Sequence, residues 1–103
     1  MPEPSDVRVV DNPAELRYEL HLGDEVVGQI RYATEAGLVF LIHTDVAEAI
    51  EGKGLGSVLV RGALDDLRVR GLRIVPVCPF VAAYVRRHPE YADLVETRPP
   101  RWE

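Results

Sequence analysis

Residues 51–56, EGKGLG, separate two segments whose apolar residues follow different spacings. Before this stretch, residues 38–44 read LVFLIHT, a nearly continuous apolar run that predicts a central strand covered on both faces. After it, the apolar residues of 55–72 recur with a helical period, which predicts an amphipathic helix stopped by Gly71. A glycine-rich link from a buried strand to a helix is an arrangement in which backbone N–H groups can bind a phosphate.

The rest of the chain carries a strand-rich pattern. Alternating apolar residues predict strands at 16–22 and 26–32, and the short link between them predicts an antiparallel hairpin. Turns are expected at 11–13 and 33–37. The remaining elements are a strand at 7–10, a strand at 72–77, a helix at 80–87 that starts near Pro79, and a helical turn at 90–95. This order predicts an α+β fold with a mixed, mostly antiparallel sheet, one parallel pair of strands and two main helices.

Length and charge exclude several classes of protein. The chain has 103 residues, which predicts one domain with its core at about 7–95 and irregular termini. A net charge of -5 argues against a nucleic-acid partner, and no apolar run is long enough for a membrane span. The start of the chain does not resemble a signal peptide, so we expect a cytoplasmic protein. The single cysteine, Cys78, excludes an internal disulfide and suggests no zinc site. Monomer and homodimer both remain open.

Two common phosphate-binding motifs do not fit the glycine-rich stretch. A P-loop needs a lysine followed by serine or threonine, and the chain contains no such pair. A dinucleotide-binding loop needs a third glycine three residues after the second, where this chain has Ser57 after Gly52 and Gly54. A tight turn between strand and helix, with no ligand at all, remains the structural alternative.

A third motif fits. The stretch 46–56, VAEAIEGKGLG, followed by SVLV, resembles motif A of the GCN5-related N-acetyltransferases, [Gln/Arg]-x-x-Gly-x-[Gly/Ala]. Gly54 and Gly56 occupy the two small positions, whereas Glu51 departs from the usual first residue. The segments FLIHTDV, ALDDLR and IVPVCPFVAAYVRRHPEY extend the resemblance over residues 7–95, to the short GCN5-like branch of that superfamily. The resemblance implies a truncated acetyltransferase fold whose central strands splay apart and bind acetyl-CoA between them.

The resemblance also implies which residues hold coenzyme A. The pyrophosphate is expected on backbone N–H groups of the glycine-rich loop, and the pantetheine arm along the end of the preceding strand. Arg86 or Arg87 could reach the nucleotide phosphates, although exposed arginines at a helix end are more often plain surface charge. The cofactor-binding residues expected on this basis are Thr44, Asp45, Val46, Gly52, Lys53, Gly54, Leu55, Gly56, Ser57 and Arg87.

Three residues are candidates for catalysis. His43 can act as a general base, or can be a packed histidine. Cys78 can accept the acetyl group if His43 or the N-terminus of the following helix lowers its pKa, or it can be a small buried residue. By resemblance, Tyr84 matches the tyrosine that protonates the departing thiolate, although an aromatic residue on this helix also suits the core.

These residues predict an acetyl-CoA-dependent N-acetyltransferase that acts on an amine, either by direct attack or through an acetyl-cysteine. The acceptor can be a small molecule or a protein amine, and nothing in the sequence selects one. The alternative is a non-catalytic acyl-CoA-binding module or sensor, because the chain is shorter than most of the superfamily and is not expected to contain the helices that wall the acceptor site in larger relatives.

Overall fold

A computed structural model of the chain describes residues 7–47 and 54–96. Five strands lie in one sheet in the order in which they occur along the chain, and the first four pair antiparallel. The last two strands pair parallel across a helix. The elements are β1 (Val7–Asn12), β2 (Arg17–Leu22), β3 (Glu25–Glu35), β4 (Leu38–Val46), α1 (Leu55–Val69), β5 (Arg73–Pro76), α2 (Pro79–Arg87) and a final 3-10 helix, Pro89–Leu94. This confirms the predicted α+β fold with a mostly antiparallel sheet and two main helices.

The turn predicted at 33–37 was too long, and the turn predicted at 11–13 began too early, since the link from β1 to β2 is 13–16. The link from β3 to β4 takes only Ala36 and Gly37, which have φ angles of 52° and 80°. Positive φ at both residues is typical of the two-residue turns that join hairpin strands. At the other predicted turn, β1 continues through Asp11 and Asn12, because side chains of neighbouring strands hydrogen-bond to both: Asp11 Oδ1 accepts from Tyr32 Oη at 2.6 Å, and Asn12 Nδ2 donates to Glu19 Oε2 at 2.9 Å. Polar residues therefore extend strands that the apolar pattern ended early.

Helix α1 stops at Gly71, as the sequence predicts. Gly71 has a φ of 71° and donates its N–H to the Arg68 carbonyl at 3.1 Å. Leu72 donates to the Leu67 carbonyl at 3.0 Å, which completes a Schellman motif. The helical residues end at Val69 rather than at 72. Within residues 7–47 and 54–96, every helix is too short or too polar to cross a bilayer.

Both helices pack on the same face of the sheet. Tyr18 donates from Oη to Asp66 of α1 at 2.6 Å, and Val9 lies against Gly62 of the same helix. We call this the helix face. Its core side chains are Tyr18, Leu20, Ile30, Tyr32, Val39 and Leu41 from the strands, with Leu59, Val60, Ala63, Leu64, Leu67, Val81 and Tyr84 from the helices.

The opposite face of the sheet, which we call the open face, is polar. Residues paired directly across neighbouring strands share a face, and the registers place two rows of polar residues there: Arg17, Arg31 and His43 in one, and Glu19, Gln29 and Asp45 in the other. The prediction that residues 38–44 are covered on both faces was therefore wrong. Ile42 is 44% exposed and His43 is also exposed, because both described main helices lie on the other side.

Candidate functional site

The parallel pairing of β4 and β5 stops half-way along β4. The last paired residues are Leu41 and Pro76, and just beyond them the Cys78 N–H donates to the Leu41 carbonyl at 2.8 Å. Strand β4 continues to Val46 with β3 on one side, so that among the described residues its other edge is open from 42 to 46. This is the splay between the central strands that the sequence predicts. We call it the gap.

A bulge in β4 lies at the start of the gap. Leu41 pairs with Tyr32 and His43 pairs with Arg31, so Ile42 is one residue more than the partner strand contains. A bulge bends a strand and increases its twist, which turns the end of β4 away from β5. It also sets the faces beyond it: Thr44 pairs with Ile30 of the core, and His43 lies on the open face.

Along the gap, the backbone of β4 has no partner strand on its outer edge among the described residues. Ala47 donates its N–H to the Val27 carbonyl of β3 at 2.7 Å. Because backbone groups alternate along an extended strand, those of Thr44 and Val46 point into the gap instead. These two residues can pair with the amides of an extended ligand, as predicted for the pantetheine arm.

The N-terminus of α1 lies beside the same end of β4. Gly54 precedes the helix with a φ of 76°, and within the described ranges no side chain caps the first turn, which contains no acidic residue. The N–H groups of Leu55, Gly56 and Ser57 therefore have no intrahelical partner, and they carry the positive end of the helix dipole. Of the other predicted loop residues, Gly52 and Lys53 lie outside the described residues.

Gly56, in the first turn of α1, lies between the end of β4 and the start of α2. A Cβ atom at Gly56 would lie 3.0 Å from Cζ of Phe80 and 3.7 Å from Cγ2 of Val46. The glycine thus lets the first turn of α1 lie close to the end of β4 and the start of α2. A larger residue there would require the Phe80 ring to shift by a few tenths of an ångström, whereas its distance from Val46 would be an ordinary contact.

Cys78 lies on the helix side of the gap. Its Sγ is 3.3 Å from Oγ1 of Thr44, and the residue is 4% exposed. Burial acts to raise the pKa of the thiol, but the Thr44 hydroxyl and the backbone N–H groups of Val81, Phe80 and Thr44 favour the thiolate more strongly, so that the pKa is lowered from its ordinary value. Of the two groups that the sequence suggested for this effect, the helix N-terminus contacts the thiol.

His43 lies on the other face. Its Nε2 is 2.9 Å from Oδ1 of Asp45, and Nε2 of Gln29 donates to Oδ2 of the same carboxylate at 3.3 Å. Adjacent residues of a strand point to opposite faces, so Thr44 carries the contact with Cys78 while His43 is directed away from it. The structure does not bring His43 and Cys78 into contact, contrary to the idea that His43 activates the thiol.

Tyr84 lies on the buried side of α2 together with Val81, about 9 Å along the helix axis from Cys78, which directly precedes the helix. Its ring stacks on His88 with centroids 4.0 Å apart, and burial raises the pKa of its hydroxyl. Tyr84 is therefore a core residue whose hydroxyl stays protonated, as a general acid requires. Arg87 is exposed at the C-terminal end of α2, the end remote from Cys78.

The sequence did not predict the hydrogen bonds that link polar side chains of neighbouring strands on the open face. Glu19 is 6% exposed and bonds to Asn12, Arg17 and His21, and Arg17 donates to Gln29 at 3.2 Å. The alternation of β2 showed that these residues share a polar face, but only the register brings Gln29 and Asp45 together. These hydrogen bonds also hold the pKa of Glu19 down, at about 2.

Comparison with known proteins agrees with this geometry. Residues 17–94 match the family model of the GCN5-related N-acetyltransferases. The chain belongs to the GCN5-related N-acetyltransferase family. Its fold is similar to that of a GCN5-like protein from Staphylococcus aureus whose solution structure was determined by NMR, with a TM-score of 0.68 and 20% identity over 94% of this chain and 95% of that one. None of the curated proteins compared with the chain matches it significantly.

Proposed function

We propose that this protein is an N-acetyltransferase that transfers the acetyl group of acetyl-CoA to an amine. The observation that carries the proposal is the position of the gap: the open edge of β4 lies beside the N-terminus of α1 at Gly56, and no side chain of the described part of the chain caps that terminus. One feature supplies backbone partners for an extended amide chain, and the other supplies N–H groups for a pyrophosphate. Membership of the acetyltransferase family supports the same ligand.

Coenzyme A would lie along two segments. Its pyrophosphate would bind the N–H groups of 55–57, with Gly54 allowing close approach and Gly52 and Lys53 completing the loop. Its pantetheine arm would pair with the backbone of 44–46. Bound there, acetyl-CoA supplies a thioester carbonyl that an amine can attack. The thiol of Cys78 and the imidazole of His43 flank this part of the gap from opposite faces.

Two routes of transfer are consistent with these positions. In the first, a neutral amine attacks the thioester carbon, the C–S bond breaks, His43 takes the amine proton and Tyr84 protonates the thiolate. In the second, the Cys78 thiolate attacks the thioester carbon and coenzyme A leaves as its thiolate; the amine then attacks the acetyl-cysteine, the C–S bond breaks, and the amine proton passes to the departing Cys78 thiolate. The contact with Thr44 and the lowered pKa of the thiol support the second route.

A non-catalytic acyl-CoA-binding module is the second candidate, and one observation favours it. Only residues 13–16 join β1 to β2, so in the described residues no helix there walls an acceptor site on the open face. The same opening would suit a large acceptor, such as an amine of a protein. A small-molecule amine would have few surfaces to bind.

Two measurements separate these candidates. Calorimetry with acetyl-CoA measures binding, and release of free thiol in the presence of an amine panel, including a lysine-containing peptide, measures transfer. The transferase proposal predicts binding and amine-dependent thiol release. Binding without release on any amine would favour the module, and no binding would contradict both.

The route is tested without an acceptor. Mass spectrometry of protein incubated with acetyl-CoA alone should show an added acetyl group that is absent in Cys78→Ser, if transfer passes through the cysteine. Full activity of Cys78→Ser would leave direct attack as the route.

A further inference from the structure

We infer that Asp45 is a positioning residue for His43, and that a hydrogen-bonded chain across three strands holds it in place. This inference rests on the proposed function, because it assigns a role to a carboxylate beside the proposed base. The sequence placed Asp45 only among backbone contacts to coenzyme A. In the structure the side chain of Asp45 lies on the open face, where it contacts the imidazole of His43.

The contact fixes one tautomer of His43. An ionised carboxylate only accepts hydrogen bonds, so the 2.9 Å contact between Asp45 Oδ1 and His43 Nε2 requires the proton on Nε2. In the neutral ring, the lone pair of Nδ1 is then left free to accept a proton. A general base needs a free lone pair that is held in one direction.

The chain continues from Asp45 to a buried anchor. Gln29 Nε2 donates to Asp45 Oδ2 at 3.3 Å, and Gln29 Oε1 accepts from Arg17 at 3.2 Å. Arg17 in turn donates from Nε to Glu19 at 2.7 Å. Glu19 is 6% exposed and is also bonded to Asn12 and His21, so this end of the hydrogen-bonded chain is held more firmly than the end at His43. Each link has a partner on both sides, and the amide of Gln29 is oriented by donating at one end and accepting at the other.

Other charged groups near His43 do not replace Asp45. Arg31 lies directly across from His43 on β3, is exposed, and forms no ion pair within the described part of the chain. Arg17 lies one strand further and is engaged with Glu19. Asp45 is therefore the carboxylate that contacts the ring, and His43 and Asp45 are 61% and 55% exposed, so that an amine can approach both from solvent.

The test combines spectroscopy with kinetics on the full chain. Nitrogen-15 NMR of the His43 ring reports which nitrogen carries the proton, and steady-state kinetics with acetyl-CoA and the best amine report kcat and KM. The variants are Asp45→Ala and Gln29→Met, which keeps the length of the side chain. Asp93→Ala is the control, since it removes an exposed carboxylate that is paired with Arg68 away from the gap.

The inference predicts a single Nε2–H tautomer in the neutral ring of the parent protein and a mixture of both in Asp45→Ala. It also predicts a loss of about fivefold to tenfold in kcat, as for one hydrogen bond, with the KM for acetyl-CoA unchanged and a smaller loss in Gln29→Met. The control should match the parent in both measurements.

Three results would overturn it. An unchanged tautomer in Asp45→Ala would show that Asp45 does not hold the ring. A changed tautomer with unchanged kcat would refute the positioning role while leaving the transferase proposal intact. No turnover by the parent protein, with acetyl-CoA bound, would refute the proposed function and the catalytic part of this inference together, and the NMR result would still show whether the chain orients His43.

Discussion

Replacing Glu19 with glutamine should remove a contribution to the free energy of unfolding that is present at neutral pH and is lost in acid. The hydrogen bonds from Asn12, Arg17 and His21 lower the pKa of this carboxyl from 4.5 to about 2. A shift of that size corresponds to at most about 3.5 kcal/mol of folding free energy, at about 1.4 kcal/mol per pKa unit. Because the Arg17 side chain is 33% exposed and partly screened by solvent, about 2 kcal/mol is expected.

The sign of the effect follows from the direction of the shift. A carboxyl whose pKa is lower in the folded protein stabilises it fully above the unfolded pKa, near 4.5, and loses that contribution as the pH falls towards 2. Urea unfolding of the parent and of Glu19→Gln between pH 2 and pH 7 measures both free energies. The difference between them should be largest above pH 5 and should shrink by about 2 kcal/mol at the acid end.

A difference that stays constant over this range would refute the reasoning, because it would show that the ionised form of Glu19 is not preferentially stabilised by folding. Asp93→Asn is the matched control. Its carboxylate is also paired with an arginine, Arg68, and its pKa is also lowered, but its side chain is 65% exposed. It should show a much smaller dependence on pH.

Three further substitutions test the packing and the turns by urea unfolding. Gly62→Val should cost about 1–3 kcal/mol, since a Cβ there would lie 2.6 Å from Cγ2 of Val9; an unchanged midpoint would contradict the close approach of α1 to β1. Gly71→Ala should cost about 1 kcal/mol through its φ of 71° alone, because nothing lies within 4 Å; a stabilised variant would contradict this. Tyr91→Phe should cost about 1 kcal/mol by removing the 2.6 Å hydrogen bond to Asp65, and no loss would show that water replaces it.

Most of the fold could be predicted from the sequence, because apolar spacing and glycines determine it locally. The period of 55–72 predicted α1 and Gly71 predicted its end, since few other residues adopt a positive φ. The parallel pairing of β4 with β5 followed from the order of strand, helix and strand. The end of β1 was missed because Asp11 and Asn12 bond to side chains on other strands, and the end of β3 because a two-residue turn lets its pairing with β4 continue to Glu35.

The candidate site was predictable in its parts but not in its arrangement. The gap, the start of α1 and the position of Cys78 at the start of α2 followed from the family resemblance. The bulge at Ile42 did not, and one extra residue in a strand changes which side chains share a face. For this reason the sequence suggested a contact between His43 and Cys78, whereas the structure pairs Cys78 with Thr44.

The hydrogen-bonded chain on the open face could not be predicted for the same reason, because the sequence does not reveal how the strands are aligned. Gln29 and Asp45 are 16 positions apart, and Arg17 and Gln29 are 12 apart. Side chains so distant along the chain meet only once the strands are aligned. A hairpin can be predicted from a short turn, but its pairing depends on the turn type and on bulges.

Coenzyme A binding in the gap is the central claim, and chemical-shift mapping tests it most directly. Amide signals would be followed by proton–nitrogen NMR while acetyl-CoA is added to the labelled protein. The account predicts the largest changes at 54–57 and 44–46, with changes also at Cys78, and no change along β1. Saturable changes confined to other surfaces, or no changes at millimolar acetyl-CoA, would contradict it.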